Sequence, residues 1–184
     1  MKKLKTELRF FSISAWKKEE KYLRDQHKNG WEFIGVNGLC LYHFQKCEPK
    51  DMVYQLDYNP DSTSQQSEYI QMFRDCGWEY LQNYVGYSYF RKAASEMDGT
   101  EEEIFCDDAS RLDMMKRVFI GRMIPLLSIF LLVIIPQIIM QSRINDPFNH
   151  SLMVFFCILF VLYLGIFISF AIPFWKYYKA VHKK

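Results

Sequence analysis

The sequence lacks a strong net charge of either sign. Its 184 residues include 23 Lys and Arg against 21 Asp and Glu, which gives a formal net charge of +2. The balance is uneven, because residues 1–117 carry 17 basic and 20 acidic side chains, whereas residues 118–184 carry 6 and 1. A nucleic-acid-binding surface needs a strongly basic, clustered face. We therefore expect no direct nucleic-acid partner.

The sequence also lacks the residue patterns of common catalytic and cofactor sites. Its five cysteines are an odd number without a C-x-x-C pair, which argues against a disulfide framework and favours a reducing compartment. No G-x-S-x-G, P-loop or dinucleotide-binding glycine pattern occurs. The zinc-like spacing Cys40-x-x-His43-x-x-x-Cys47 is weak, because positions 40 and 43 of a strand point to opposite faces. We expect no metal, no cofactor and no enzymatic activity.

Two long segments near the C-terminus lack charged residues altogether. Residues 123–141 and 151–175 would form helices of roughly 28 and 37 Å, enough to cross a hydrocarbon core of about 30 Å. We predict two transmembrane helices, at about 118–141 and 151–175, joined by a short loop as an antiparallel hairpin. The chain is thus expected to be a multi-pass protein of the cell membrane, with the lipid bilayer as one partner.

The basic residues beside these segments predict their orientation. The connecting loop contains only Arg143, whereas each outer flank contains four basic residues, namely Arg111, Lys116, Arg117 and Arg122, and Lys176, Lys179, Lys183 and Lys184. Basic residues are enriched on the cytoplasmic side of membrane proteins. Both termini are therefore expected to be cytoplasmic.

The N-terminal half contains an internal repeat with an offset of 47 residues. Tyr22-Leu23 precedes the block Gly30-Trp31-Glu32-Phe33-Ile34, and Tyr69-Ile70 precedes Gly77-Trp78-Glu79-Tyr80-Leu81. With one deletion, residues 42–46 then match residues 88–92. A constant offset over several unlike residues indicates a duplicated structural unit.

Each repeat predicts the order strand, helix, strand, strand. The predicted helices are 15–28 and 63–75, and the predicted strands are 8–13, 31–36, 39–44, 52–58, 78–84 and 87–92. We expect residues 1–92 to form an α+β domain, a duplicated β-α-β-β unit with one antiparallel-rich sheet and helices packed on a face. Residues 93–117 are predicted to be an acidic helical connector, and residues 118–184 the transmembrane hairpin.

Aromatic residues of the repeat are the candidates for molecular recognition. Trp31 and Trp78 occupy equivalent positions and are predicted to be core anchors, with a ligand groove as the alternative. Tyr42, Tyr87 and Tyr89 are predicted to anchor a partner on an exposed sheet face or in a groove between the repeats. Glu32 and Glu79 would form a catalytic pair only if they converged on one site.

Several of these marks resemble the bacterial domain-of-unknown-function family 2812. They are Gly30-Trp31-Glu32, Tyr54-x-Leu56-Asp57-Tyr58, Gly77-Trp78-Glu79-Tyr80, Phe90-Arg91-Lys92, Asp107-Asp108 and Lys116-Arg117. The resemblance covers essentially the whole chain and implies no reaction. It implies a setting beside PadR-like transcription regulators, since members are often encoded next to them.

These features together favour a regulatory function. We expect a membrane-anchored, non-catalytic regulatory or sensor module that binds a cytoplasmic protein, such as a transcription regulator, or a small ligand. The alternative is an accessory subunit of a transporter or of an envelope-stress system.

Overall fold

The structure, a computed structural model, describes residues 3–12, 15–38, 40–59, 66–97, 108–143 and 147–182. The chain divides into two compact units, an N-terminal unit, Met1–Met114, and a C-terminal unit, Met115–Lys184. The predicted connector at 93–117 lies partly outside the described residues, since residues 98–107 are not among them.

The N-terminal unit contains six strands and two main helices. The first half comprises β1 (Leu4–Leu8), α1 (Trp16–Lys28), β2 (Trp31–Asn37) and β3 (Leu41–Lys46), and the second comprises β4 (Met52–Tyr58), α2 (Gln66–Asp75), β5 (Glu79–Tyr84) and β6 (Tyr87–Ala93). A single 3₁₀ turn, Ala94–Glu96, follows β6. The predicted α+β class is confirmed.

The strands form two antiparallel sheets. Sheet A has the order β1-β3-β2 and sheet B has the order β4-β6-β5. The prediction of one six-stranded sheet is therefore wrong. The predicted first strand at 8–13 is also wrong, because the strand lies at residues 4–8. Its position is set by pairing with β3, which runs from Leu4 opposite Gln45 to Leu8 opposite Leu41.

The two halves share local backbone features at matching positions. Gly30 and Gly77 follow α1 and α2 with φ of +78° and +80°, the left-handed conformation that glycine adopts readily at a helix C-terminus. The ladder between β2 and β3 shifts register between Phe33 and Gly35, and the one between β5 and β6 shifts between Tyr80 and Gln82, 47 residues later. The Gln82 side chain then bonds the N–H and the carbonyl of Val36, at 3.2 Å each, and so links sheet B to sheet A.

Each helix packs on a sheet through one buried face. On α1 the buried residues Trp16, Glu19, Leu23 and His27 recur at steps of three and four, as expected for one side of a helix. On the second half, Phe73 of α2 packs with Val53, Trp78 and Phe90 in a buried cluster. α1 contacts β4 of sheet B as well as β2 of sheet A, so it connects the two halves.

Two helices are long and apolar enough to cross a membrane, Arg111–Gln141, most of which belongs to the C-terminal unit, and His150–His182. The second belongs to α6 (Pro147–His182), which is longer than the predicted 151–175. The helices pack against each other through aromatic rings, with Phe130 beside Phe160 at 5.1 Å and Phe119 beside Phe170 at 6.1 Å between centroids. Later residues of one helix thus meet earlier residues of the other, as in an antiparallel hairpin.

Two prolines change the helical geometry of the first long helix. It runs through α3 (Asp108–Val118), a π turn (Phe119–Met123), α4 (Ile124–Ile129), a second π turn (Phe130–Ile134) and α5 (Ile135–Gln141). Pro125 and Pro136 each stand two residues after a π turn. Because proline lacks an N–H and clashes with the preceding turn, a wider turn accommodates it without ending the helix.

Candidate functional site

The tyrosines predicted to anchor a partner lie in the interior of the N-terminal unit. Tyr42, Tyr87 and Tyr89 are only 3%, 8% and 2% exposed, so the prediction that they stand on an accessible face is wrong. Tyr42 and Tyr89 instead donate hydrogen bonds of 2.6 and 2.5 Å to the same carboxylate oxygen, Glu19 Oε1. Tyr87 packs edge-on against Tyr58, with ring centroids 5.1 Å apart.

Glu19 is the centre of a polar network that joins both sheets. Its side chain projects from α1 into the core, where Tyr42 belongs to sheet A and Tyr89 to sheet B. Burial raises the pKa of Glu19, while the two hydroxyl donors act in the opposite direction. Burial, together with the neighbouring Glu19, raises the pKa values of both tyrosines, which therefore remain hydroxyl donors at neutral pH. The network satisfies three buried polar groups and fixes α1 between the halves.

The two repeat tryptophans have different surroundings. Trp78 is 4% exposed and belongs to the cluster under α2, as predicted for a core anchor. Trp31 is half-buried, and the ammonium groups of Lys5 and Lys46 lie 5.2 and 4.9 Å from its ring centroid. Equivalent sequence positions thus have unequal burial.

The repeat carboxylates Glu32 and Glu79 converge on one arginine. Arg91 donates from Nε and Nη2 to Glu79, at 2.6 and 3.0 Å, and from Nη1 to Glu32. Paired in this way, the two acids form a structural ion-pair network that links sheet B to β2. Beside Arg91, His27 Nδ1 lies 2.7 Å from Tyr54 Oη, and burial, followed by the charge of Arg91, lowers the pKa of His27.

A groove with a basic rim lies between α1 and β4. It encloses about 500 Å³ and is lined by Lys17, Glu20, Lys21, Arg24, Asp25, Lys28, Val53, Tyr54 and Gln55. Glu20 Oε1 accepts a 2.8 Å hydrogen bond from the backbone N–H of Leu56 on β4. Burial of this carboxyl raises the pKa of Glu20 to about 8, so the group is mostly protonated at neutral pH.

Among the described residues, no helix or strand covers one face of sheet A, which we call the open face and define by Leu4, Thr6, Leu8, Leu41 and His43. Cross-strand pairing places Leu8 opposite Leu41 and Thr6 opposite His43. Leu4, Leu8 and Leu41 are 67%, 56% and 37% exposed. His43 bonds Thr6 and Asn37 at 3.0 Å through its two ring nitrogens. The face is therefore apolar with a polar centre.

The corresponding face of sheet B is buried. There Tyr58 lies opposite Tyr87, which corresponds to the pair of Leu8 and Leu41 in sheet A. Likewise, Leu56 lies opposite Tyr89, which corresponds to the pair of Thr6 and His43. All four sheet B residues are 8% exposed or less. α1 covers this side at β4, whereas no element among the described residues covers the open face.

A family model described as "Protein of unknown function (DUF2812)" matches residues 15–129. The match covers more than half of the 184 residues. The chain belongs to the DUF2812 family. No curated protein and no solved structure matches it.

The DUF2812 match begins one residue before α1 and therefore includes Glu19, Glu20 and Arg91. It does not include β1, which supplies Leu4 and Leu8 of the open face. Sequence reasoning missed Glu19 and Glu20. The available signal was their position between Trp16 and Leu23, on the same side of a helix, where a carboxyl group must find a hydrogen-bond partner.

Among the residues that the structure describes, no group of three or more His, Cys, Asp or Glu side chains could hold a metal ion. The zinc-like spacing does not converge either, since His43 lies on the open face whereas Cys47 lines a different pocket with Arg91.

Proposed function

We propose that this DUF2812 member is a membrane-anchored, non-catalytic regulatory module, and that its open face binds a helix of a cytoplasmic protein such as a transcription regulator. The observation that carries the proposal is the contrast between the two sheets. Three leucines lie uncovered on sheet A, while the same face of sheet B is buried. Exposed contiguous apolar surface of this kind marks interaction sites.

The chemistry of the buried counterpart indicates what kind of surface fits. Sheet B is covered on this side by α1, an amphipathic helix that contributes Trp16 and Leu23 to the core. None of the five residues that define the open face is Asp, Glu, Lys or Arg, so a helix with an apolar stripe would bury the leucines without leaving an unpaired carboxylate, ammonium or guanidinium group. A tether would confine such a partner to the membrane surface and raise its effective concentration there.

We also propose that the N-terminal unit is a duplicated β-α-β-β unit. Support comes from the equal strand order of the sheets, the register shifts 47 residues apart and the two glycines with positive φ. The offset, apart from short insertions or deletions, should recur in other DUF2812 sequences; halves that cannot be aligned with each other in most members would contradict duplication.

A photo-crosslinking experiment in native membranes tests the docking surface. A photoreactive residue at Leu8, which is 56% exposed, should give one dominant crosslinked product with a cytoplasmic DNA-binding protein. The same residue at Met72 of α2, which is 55% exposed, is the matched control and should not give it. Replacing Leu4 and Leu41 by Ser should abolish the product, because the apolar contact area is lost.

Equal products from both positions, or a product formed only with a second copy of this chain, would contradict docking of a regulator. Turnover of a metabolite by the purified protein would replace the proposal with an enzymatic one.

We propose further that both termini are cytoplasmic and that only the short loop around Arg143 is outside the cell. The support is the asymmetry of basic residues flanking the two apolar helices. In a variant with the five native cysteines replaced by Ser, a single cysteine at Ser142 should react with an impermeant thiol reagent in intact cells. A cysteine at the exposed Ser67 should react only after lysis. The opposite labelling pattern would reverse the orientation.

A further inference from the structure

We propose that the groove between α1 and β4 binds a small polar ligand through a phosphate-type oxyanion. This site is separate from the open face, and the proposal does not depend on the docking of a partner protein. The volume of about 500 Å³ lies within the range of small-molecule sites, roughly 300–1,000 Å³.

The rim of the groove carries basic residues in helical register. Lys17, Lys21, Arg24 and Lys28 are separated by four, three and four residues, so they form one stripe along α1. Asp25 of the lining and Asp51 beside it are the neighbouring acids. The four basic side chains of the rim outnumber these two acids while Glu20 is protonated, which favours the binding of an oxyanion.

Arg24 is held in place before any ligand arrives. Its guanidinium bonds both carboxylate oxygens of Asp51, at 2.7 and 3.0 Å, and Lys28 Nζ lies 3.1 Å from Asp51 Oδ2. The hydrogen bond from Arg24, together with Lys28, lowers the pKa of Asp51 to about 2. A fixed guanidinium loses less conformational entropy on binding than a mobile one.

The charge of Glu20, which lines the groove, depends on pH. Its carboxyl is bonded to the Leu56 N–H, and the charged groups facing it are Lys17 and Glu19 of α1 and Arg111 of α3. While Glu20 is protonated it does not repel an anion and can donate a hydrogen bond from its hydroxyl. Once ionised it would repel the ligand, so binding and protonation are coupled.

The lining also indicates the size and polarity of the ligand. Val53, Tyr54 and Gln55 form the β4 side, and the remaining residues are charged apart from the protonated Glu20. An extended apolar group would leave these charged side chains desolvated without partners. The ligand class is therefore a compact phosphorylated metabolite, inorganic phosphate or the headgroup of an anionic lipid, all of which share the same oxyanion.

Sulfate binding to the full chain in phosphatidylcholine nanodiscs tests the site, by calorimetric titration at constant ionic strength. Sulfate keeps its charge over the useful pH range. We expect saturable millimolar binding that the double substitution K17Q/K21Q weakens about fivefold, since each exposed charge contributes modestly. K18Q removes one positive charge from an exposed residue of α1 outside the groove and should leave the affinity unchanged within about 1.5-fold.

The pH dependence supplies a readout that a general charge effect would not produce. The wild type should bind sulfate more weakly at about pH 8.5 than at about pH 6.5, because Glu20 ionises between them. Glu20→Gln should largely remove this difference. The proposal would be overturned if sulfate did not bind saturably, or if K18Q and K17Q/K21Q weakened sulfate binding equally. It would also be overturned if the pH dependence of sulfate binding were the same in Glu20→Gln as in the wild type.

Anionic membranes distinguish the two sources of the oxyanion. If nanodiscs containing phosphatidylglycerol weaken sulfate binding by a larger factor in the wild type than in K17Q/K21Q, a lipid headgroup occupies the groove. If sulfate binds equally in both membranes, the groove takes a soluble ligand.

Discussion

Replacing Trp78 by Ala is expected to lower the free energy of unfolding of the N-terminal unit by about 3–5 kcal/mol. Trp78 is 4% exposed and packs in one cluster with Val53, Phe73 and Phe90, so truncation removes a large apolar surface and leaves a cavity. For a domain of this size the midpoint of thermal unfolding should fall by more than about 10 °C. The measurement is thermal unfolding of the full chain in nanodiscs, followed by near-UV circular dichroism.

Trp31→Ala is the matched control, because the same side chain is removed from the equivalent repeat position. Trp31 is only half-buried and is covered in part by the Lys5 and Lys46 side chains, which can reposition. Trp31→Ala should lower the free energy of unfolding clearly less than Trp78→Ala does. Equal losses at both positions would mean that the two halves pack alike in solution, contrary to the burial described above.

Replacing Glu19 by Ala is expected to destabilise the N-terminal unit by roughly 3–5 kcal/mol. The substitution leaves the hydroxyl groups of Tyr42 and Tyr89 without their common acceptor, and each unsatisfied buried donor costs about 1–3 kcal/mol. The missing side chain also leaves space in the core, where Glu19 is 7% exposed. Hydrogen exchange of the β3 and β6 amides measures the loss, because α1 would no longer be fixed to these strands.

Glu19→Gln separates the hydrogen bonds from the charge. The amide oxygen can still accept from both tyrosines, so most of the stability should remain. The pKa of Glu19 is raised in the folded state by burial, so the wild type loses stability as the pH rises above the unfolded-state value of 4.5. The stability of the Gln variant should not depend on pH in this way. Its free energy of unfolding should therefore rise relative to that of the wild type as the pH increases. If Gln were as destabilising as Ala, the network would depend on the carboxylate itself.

The two halves show how one local pattern supports different roles. His43 and Tyr89 occupy matching register positions, opposite Thr6 and Leu56 respectively. His43 lies on the open face and bonds Thr6, whereas Tyr89 is buried and bonds Glu19. Only the second position is covered, because α1 packs against β4 as well as against its own sheet.

The sequence by itself determined the features that depend on neighbouring residues. Gly30 and Gly77 end their helices, and residues 52–58 form a strand with the predicted bounds, because a positive φ and β-rich alternation are properties of short segments. Uncharged runs of sufficient length likewise identified both apolar helices. Three of the family marks, at Gly30, residues 54–58 and Gly77, lie in the same segments, and the resemblance to DUF2812 is confirmed.

Only the tertiary structure decided which faces are covered. Tyr42 and Tyr89 were predicted as exposed anchors because strand alternation identifies two faces without saying which one another element will cover. The position of α1 against both sheets buried these tyrosines, brought Glu19 between them and left Leu4 and Leu8 in solvent. The same helix formed the groove around Glu20 by closing on the edge of β4. These outcomes follow from contacts between residues 20 to 70 positions apart, whose relative placement local sequence patterns do not specify.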